Sequence, residues 1–305
     1  MSNRKQRQAI AKSTLEVLNT GKLGELDISE AIRTSVDGTQ SYRPDEVCPK
    51  LLSIAKTGTN VTTHFDAINT TTLKAAKDLL EEQTDVPVAV LNFASAKNPG
   101  GGFLGGSLAQ EESLASHSTL YQCLKNDPMY EFHRPMKGGI YSDWCIYSPN
   151  VLVFREETND SCHPLIQKEE DLWYMNVITC PCLNQGTAKL PQEELLQQLE
   201  KRMRRMLSVL AAHHVGNVVL GAWGCGVFRN DPNTVAKLFA KLLCSEDSPF
   251  KNRWPKVVFA VLDKRPPHNT IKPFCRIFGS STSSKWQNQL PRNDWEETEQ
   301  LTEGS

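Results

Sequence analysis

The chain has no run approaching the ~18 consecutive apolar residues that a bilayer-spanning helix needs. Its opening segment, MSNRKQRQAIAKSTLEVL, lacks the unbroken apolar core of a secretion signal. No membrane association is expected, and an intracellular location, cytoplasmic or nuclear, is. Net charge is nearly absent too: 34 Lys and Arg stand against 35 Asp and Glu, leaving −1. With no global positive field to steer a polyanion, direct nucleic-acid binding is not expected. The nine cysteines are odd in number and scattered. Cys180-Pro-Cys182 has the wrong spacing for a zinc knuckle and no second pair to complete one, so reduced thiols and no metal or other cofactor are expected. No glycine run ends in Gly-Lys-Ser or Gly-Lys-Thr, which excludes a P-loop, and none matches the dinucleotide fingerprint cleanly. There is no internal repeat.

What is present is an ordinary globular composition, 39% hydrophobic and 23% charged, over 305 residues. A chain of that length buries roughly 75% of its unfolded surface. Apolar periodicity predicts helices over 4–19, 69–80, 110–124, 192–214, 231–243 and 270–278. The clearest is 192–214, where Leu195, Leu199, Met203, Met206 and Leu210 repeat at helical spacing. Extended segments are expected over 60–68, 86–95, 150–156, 172–182, 217–224 and 256–263. Residues 28–43 look extended, with Asp37-Gly38 as a hairpin signal. Residues 126–150 read as loop with a short strand at 139–142, and the Ser-rich, then acidic stretch from Ser280 reads as disordered tail. Strands alternating with helices make the fold α/β, with at least part of the sheet parallel.

Two glycine-rich stretches each follow a buried-type strand and precede a helix. The first is NFASAKNPGGGFLGGSLAQEES, ending at Ser113; the second is GAWGCGVFRNDP, residues 221–232. In open α/β sheets ligands bind beyond the carboxyl ends of strands, so both loops can face one cleft. Glycine permits close backbone approach to a ligand at an entropic cost. Two such loops can cradle a diphosphate through main-chain N–H groups and helix N-termini. The acids Glu111 and Glu112 at the exit of the first loop then suggest chemistry on the bound group.

The triple glycine Gly100-Gly101-Gly102, a short spacer and Gln110-Glu111-Glu112 resemble the signature of poly(ADP-ribose) glycohydrolases. The fuller string NPGGGFLGGSLAQEESL, with LGAWGCGVF, is similar to the microbial-type branch of bacteria and filamentous fungi. The resemblance covers roughly residues 4–279. It implies a macrodomain-like three-layer α/β/α fold with a mixed central sheet and an N-terminal helical extension. It divides the chain into an extension over 1–50 packing on the core, a catalytic domain over 51–279 and a tail over 280–305. It implies hydrolysis of ribose–ribose O-glycosidic bonds in poly(ADP-ribose), from chain ends, in reversal of ADP-ribosylation. Its partners would be poly(ADP-ribose), ADP-ribose and ADP-ribosylated proteins.

Residue by residue, the resemblance places the catalytic glutamate at Glu112 and a ribose-holding neighbour at Glu111, with Gln110 beside them in the substrate site. Gly100, Gly101 and Gly102 fall on the diphosphate loop. Gly224, Cys225, Gly226, Val227 and Phe228 fall on the second phosphate loop, with Phe228 packing on ribose. Where macrodomains often carry Asn near the end of the preceding strand, this chain has Ser95, so the distal-ribose contact falls to Ser95 or Asn98. The chemistry is consistent with one acid working twice. Glycosidases commonly set two carboxylates ~5–9.5 Å apart across the bond, whereas Glu111 and Glu112 are adjacent, and adjacent helical positions do not face each other. Other readings are a non-catalytic ADP-ribose-binding module, which needs the loops but not Glu112, and a mono-ADP-ribosyl hydrolase. His117, the His213-His214 pair, the basic run 201–205 and Trp223 are read as structural first.

Overall fold

The computed structural model describes residues 3–44, 61–158 and 163–279. The expected tail lies outside them, as does the expected boundary between residues 50 and 51. At the centre is a seven-stranded mixed sheet in the order β3-β6-β7-β5-β8-β9-β4. The strands are β3 (Gln40–Tyr42), β4 (His64–Ile68), β5 (Val88–Ala94), β6 (Cys145–Val153), β7 (Trp173–Pro181), β8 (Asn217–Leu220) and β9 (Lys256–Ala260). From β7 to β4 every pairing is parallel. The β3–β6 and β6–β7 pairings are antiparallel.

The run VAVLNFA of β5 shows why the sheet sits in the middle. Val88 and Val90 pack into the core on one face, and Ala89 and Leu91 into the core on the other. A strand covered on both sides has no polar face to alternate with. The first face is covered by α3 (Thr72–Glu82), α4 (Gln110–His117), α5 (Leu120–Leu124) and α6 (Pro128–His133), through Leu73, Leu114, Leu120 and Met129. The opposite face is covered by α7 (Gln192–Ala212), α8 (Pro232–Cys244) and α9 (Lys272–Phe278). Of the Leu/Met stripe predicted for 192–214, Leu199, Met203, Met206 and Leu210 lie in that second core, and Leu195 is buried. The result is the expected three-layer α/β/α arrangement. Among the described residues no helix is long and apolar enough to cross a membrane.

The N-terminal part comprises α1 (Asn3–Thr20), a two-stranded ribbon of β1 (Lys22–Leu23) and β2 (Leu26–Asp27), α2 (Ser29–Asp37) and then β3. Val17, Leu18, Leu23 and Ile28 form a small core with Leu152 and Phe154. Beyond packing on the domain, this region supplies the edge strand β3, hydrogen-bonded to β6.

Three local expectations change. Residues 29–37 are helical instead of extended, and Gly38 closes the helix with its N–H on the Thr34 carbonyl at 3.1 Å instead of turning a hairpin. The helix expected over 110–124 breaks at Ser118, whose extended backbone bridges Val153, while the Phe154 N–H takes the His117 carbonyl at 3.0 Å. Within 126–150, Asp127 caps α6 by accepting from the Met129 N–H at 2.8 Å. No strand forms at 139–142, and β6 begins at Cys145, passing Pro149 through a shift in register between Ser148 and Val151.

Candidate active site

β5 and β8 are parallel neighbours, Val88 opposite Asn217 and Val90 opposite Val219, so the loops that follow them leave the same edge of the sheet. Loop one opens with a tight turn in which Ser95 Oγ accepts from the N–H groups of Lys97 at 3.3 Å and Asn98 at 3.2 Å. The Asn98 carbonyl then accepts from the Gly101 N–H at 2.9 Å. Asn98 itself is exposed and Ser95 half-buried.

Gly101 explains the glycine run. Its φ is +61°, and a Cβ there would lie 2.5 Å from Glu112 Oε1 and 2.9 Å from Glu111 Oε2. The left-handed backbone strains any side chain there, and a Cβ would push both carboxylates out of place. The next residue, Gly102, donates its N–H to Glu112 Oε1 at 2.9 Å. Loop one therefore folds onto the two acids at the start of α4. Adjacent helical positions were expected to diverge. Here both carboxylates bend back past the helix N-terminus to the same glycine, a position where negative charge is favoured.

The two acids sit in different surroundings. Glu112 is half-buried, and among the described residues none hydrogen-bonds its Oε2. Glu111 is 4% exposed, with Oε2 accepting from the Ser95 N–H at 2.6 Å. Burial pushes the Glu111 carboxyl well above the usual carboxylate range and the charge of Glu112 adds to this, while the Ser95 N–H and the Asn92 amide oppose it. Glu111 Oε1, Asn92 Oδ1 and Tyr130 Oη are all buried, and none has a hydrogen-bond partner among the described residues. Gln110 faces the sheet: its Oε1 accepts from the Phe93 N–H at 2.9 Å, and its Nε2 donates to the Leu91 carbonyl at 2.7 Å and Thr72 Oγ1 at 3.1 Å. It fixes the first residue of α4 to β5, and so the position of both acids.

Loop two is anchored from beneath. Trp223 is fully buried and donates Nε1–H to the Cys180 carbonyl at 3.1 Å, so it is packing under the loop. Gly224 has φ +74°, and a Cβ there would lie 2.4 Å from Cys182 Sγ and 2.5 Å from Asn230 Nδ2. Asn230, buried, donates Nδ2–H to the Leu183 carbonyl at 2.7 Å and the Gly224 carbonyl at 3.1 Å. Cys225 is half-buried, its thiol pushed up to about 12 by burial. Gly226 is exposed and Val227 is 85% exposed at the tip. Phe228 is half-buried with its ring 6.4 Å from that of Tyr141.

Sequence reasoning did not single out Tyr141, which adopts φ +55° beside Phe228, or Asn230, whose amide holds loop two. The flanking Gly138 and Gly139, both at positive φ, were the available signal for a shaped turn at Tyr141. Of the residues set aside, His117 is buried against the His163 ring at 4.8 Å, and burial holds its imidazole down to about 3. His213 stacks on Tyr147 at 3.6 Å. In the basic run, Arg202 is buried on the carbonyls of Pro181 and Ile140, and Arg204 pairs with Glu200. The seven described cysteines are free thiols, and no group of three metal-binding side chains converges among the described residues.

The family described as microbial-type PARG, catalytic domain, matches residues 11–156. A poly(ADP-ribose) glycohydrolase from Thermomonospora curvata is 38% identical, with a TM-score of 0.81 over 88% of this chain and 98% of its own. The same enzyme bound to the inhibitor ADP-HPD superposes with a TM-score of 0.78 over the same shares. A poly(ADP-ribose) glycohydrolase from Deinococcus radiodurans in complex with ADP-ribose is 37% identical, with a TM-score of 0.70 over 80% of this chain and 95% of its own. No curated protein matches.

Proposed function

The chain belongs to the microbial-type poly(ADP-ribose) glycohydrolases, and on that premise we propose that Glu112 is the single acid and base of its reaction. The protein is a glycosidase that acts on poly(ADP-ribose), with ADP-ribose as the unit recognised. The observation that supports the assignment is the pairing of Gly102 N–H with Glu112 Oε1 at 2.9 Å, which fixes the carboxyl while leaving Oε2 open.

In this reading the substrate diphosphate lies between the main-chain N–H groups of loops one and two. The protonated Glu112 carboxyl donates to the departing 2′-oxygen as the bond to the anomeric carbon breaks. The same carboxylate then takes a proton from the water that adds to that carbon. Positive charge growing on the anomeric centre is offset by the substrate's own diphosphate, held by preorganised dipoles. Glu111 lies beside Glu112 at the same glycine, not across the scissile bond from it, so it is not the second member of an ordinary carboxylate pair. Its role is to hold the entry of loop one through the Ser95 N–H, and to meet ribose once substrate is bound. Phe228 supports the ribose from the loop-two side, with Ser95 or Asn98 at its hydroxyls. Release of units from chain ends and the three-part division of the chain belong to the same reading.

The test is chain shortening of automodified poly(ADP-ribose), with mono-ADP-ribosylated protein in parallel. Glu112→Gln should lose at least about 10²-fold in turnover, the scale of a general-acid role. Equal activity of the two proteins overturns the assignment. Binding without turnover by the unaltered protein would point to a reader of ADP-ribose, and release of the mono-linked unit to a broader hydrolase.

A further inference from the structure

Loop one touches the acids on one side and the N-terminal helix on the other. Arg7 donates Nε–H to the Gly106 carbonyl at 2.8 Å. Arg4 donates Nε–H to the Gly105 carbonyl at 3.0 Å, and Gln8 Nε2–H reaches the same carbonyl at 3.3 Å. A Cβ on Gly106, at φ +75°, would lie 2.6 Å from the Arg4 carbonyl, so the loop and helix backbones are in near contact. Beneath these bonds the Phe103 ring is buried with Ala11 and Ala115, with Leu15 and Tyr121 packed around them. One turn further on, Thr14 Oγ1–H donates to the Ser116 carbonyl at 2.8 Å, tying α1 to α4 itself.

The far side of the loop is linked to the catalytic side within a few bonds. The Gly102 carbonyl accepts from the N–H groups of Gly105 at 3.0 Å and Ser107 at 3.1 Å, closing one small turn. The N–H of that same Gly102 is the donor to Glu112 Oε1. Five glycines between residues 100 and 106 leave this turn little stiffness of its own. Its outer carbonyls are held by two guanidinium groups and the Gln8 amide, above the buried Phe103 ring.

We propose that Arg4 and Arg7 are positioning residues: by holding the carbonyls of Gly105 and Gly106 they set the Gly102 N–H that orients Glu112. The N-terminal helix is thereby part of the catalytic apparatus without touching substrate. The inference rests on the Glu112 assignment above.

The experiment compares the full-length protein with Arg4→Ala/Arg7→Ala, Arg7→Gln, Arg7→Lys and, as a control, Lys12→Ala, an exposed position on the same helix. Turnover of poly(ADP-ribose) is measured per ADP-ribose-binding site, counted by calorimetric titration, alongside KM and thermal melting. The double variant should lose about 10- to 100-fold in kcat per binding site, the scale of a misplaced catalytic group. KM should stay within about threefold, Arg7→Lys should recover most of the loss that Arg7→Gln shows, and Lys12→Ala should match the unaltered protein. A merely structural role would lower the melting temperature and the number of binding sites but leave kcat per site intact; that result overturns the proposal. If the double variant fails to fold, Arg7→Gln against Arg7→Lys decides on the same readout. Glu112→Gln run alongside separates the two claims. An inactive Glu112→Gln with full kcat in the arginine variants removes the brace alone, whereas an active Glu112→Gln removes the assignment beneath it.

Discussion

At the scale of residues, Glu111 and Glu112 are chemically identical neighbours placed in different media. Glu112 keeps one oxygen open; Glu111 is enclosed, and burial raises its carboxyl well above the ordinary range. The raised position has a signed consequence for stability. Below about pH 4.3 both folded and unfolded states hold the proton. As pH rises the unfolded state ionises first, so the folded state loses stability until its own carboxyl ionises. Glu111→Gln removes this loss. Denaturation at pH 8 should find the variant more stable than the unaltered protein, with the gap closing near pH 4. A gap that is absent at pH 8, or reversed, contradicts the burial argument. Turnover should fall in the same variant, a group kept for function at a cost in stability. The identity of both acids was legible in the sequence because Gln-Glu-Glu follows a glycine run. Their unequal burial was not, since it depends on β5, Tyr130 and Asn92 closing around one of them.

At the scale of elements, each glycine loop joins a strand end to a helix; α4 starts after Ala109 without a side-chain cap, whereas α8 has one. Loop two ends where Asp231 caps α8: its Oδ2 accepts from the Thr234 N–H at 2.8 Å and the Thr234 hydroxyl at 2.9 Å. These bonds hold the Asp231 carboxyl below the usual range although partial burial acts against them. Asp231→Ala should cost about 1 kcal/mol of stability in denaturant titration, the usual scale for losing an N-cap. No change would mean that Pro232 and the neighbouring turn start the helix unaided. The Leu/Met stripe of α7 and the two-faced apolar run of β5 were readable because each is a local pattern. The missed elements were non-local or short. The nine-residue α2 is stabilised by contacts of Ala31 and Ile32 with a core completed by Leu152 and Phe154, more than a hundred positions away. Ser118 leaves the helix to bridge Val153, which no window around Ser118 could show. The cysteines of β6 and β7 are another example: Cys145 and Cys180 lie 3.4 Å apart, sulfur to sulfur, although 35 positions separate them.

At the scale of the whole molecule, the sheet order carries the account. It places β5 beside β8, so two glycine turns far apart in sequence open on one edge, and it brings α1 behind the first of them. The α/β class and the convergence of the loops followed from alternating elements and from the rule that ligands sit at the carboxyl ends of strands. The N-terminal region's share in the sheet and in loop one did not, because MSNRKQRQAIAK reads as an ordinary polar helix until its partners are known. The most direct measurement is a crystal structure of Glu112→Gln with ADP-ribose bound. The account predicts the diphosphate within hydrogen-bond reach of main-chain N–H groups from both loops, with the distal ribose against residue 112. A nucleotide bound elsewhere, or with its ribose out of reach of that side chain, would contradict it.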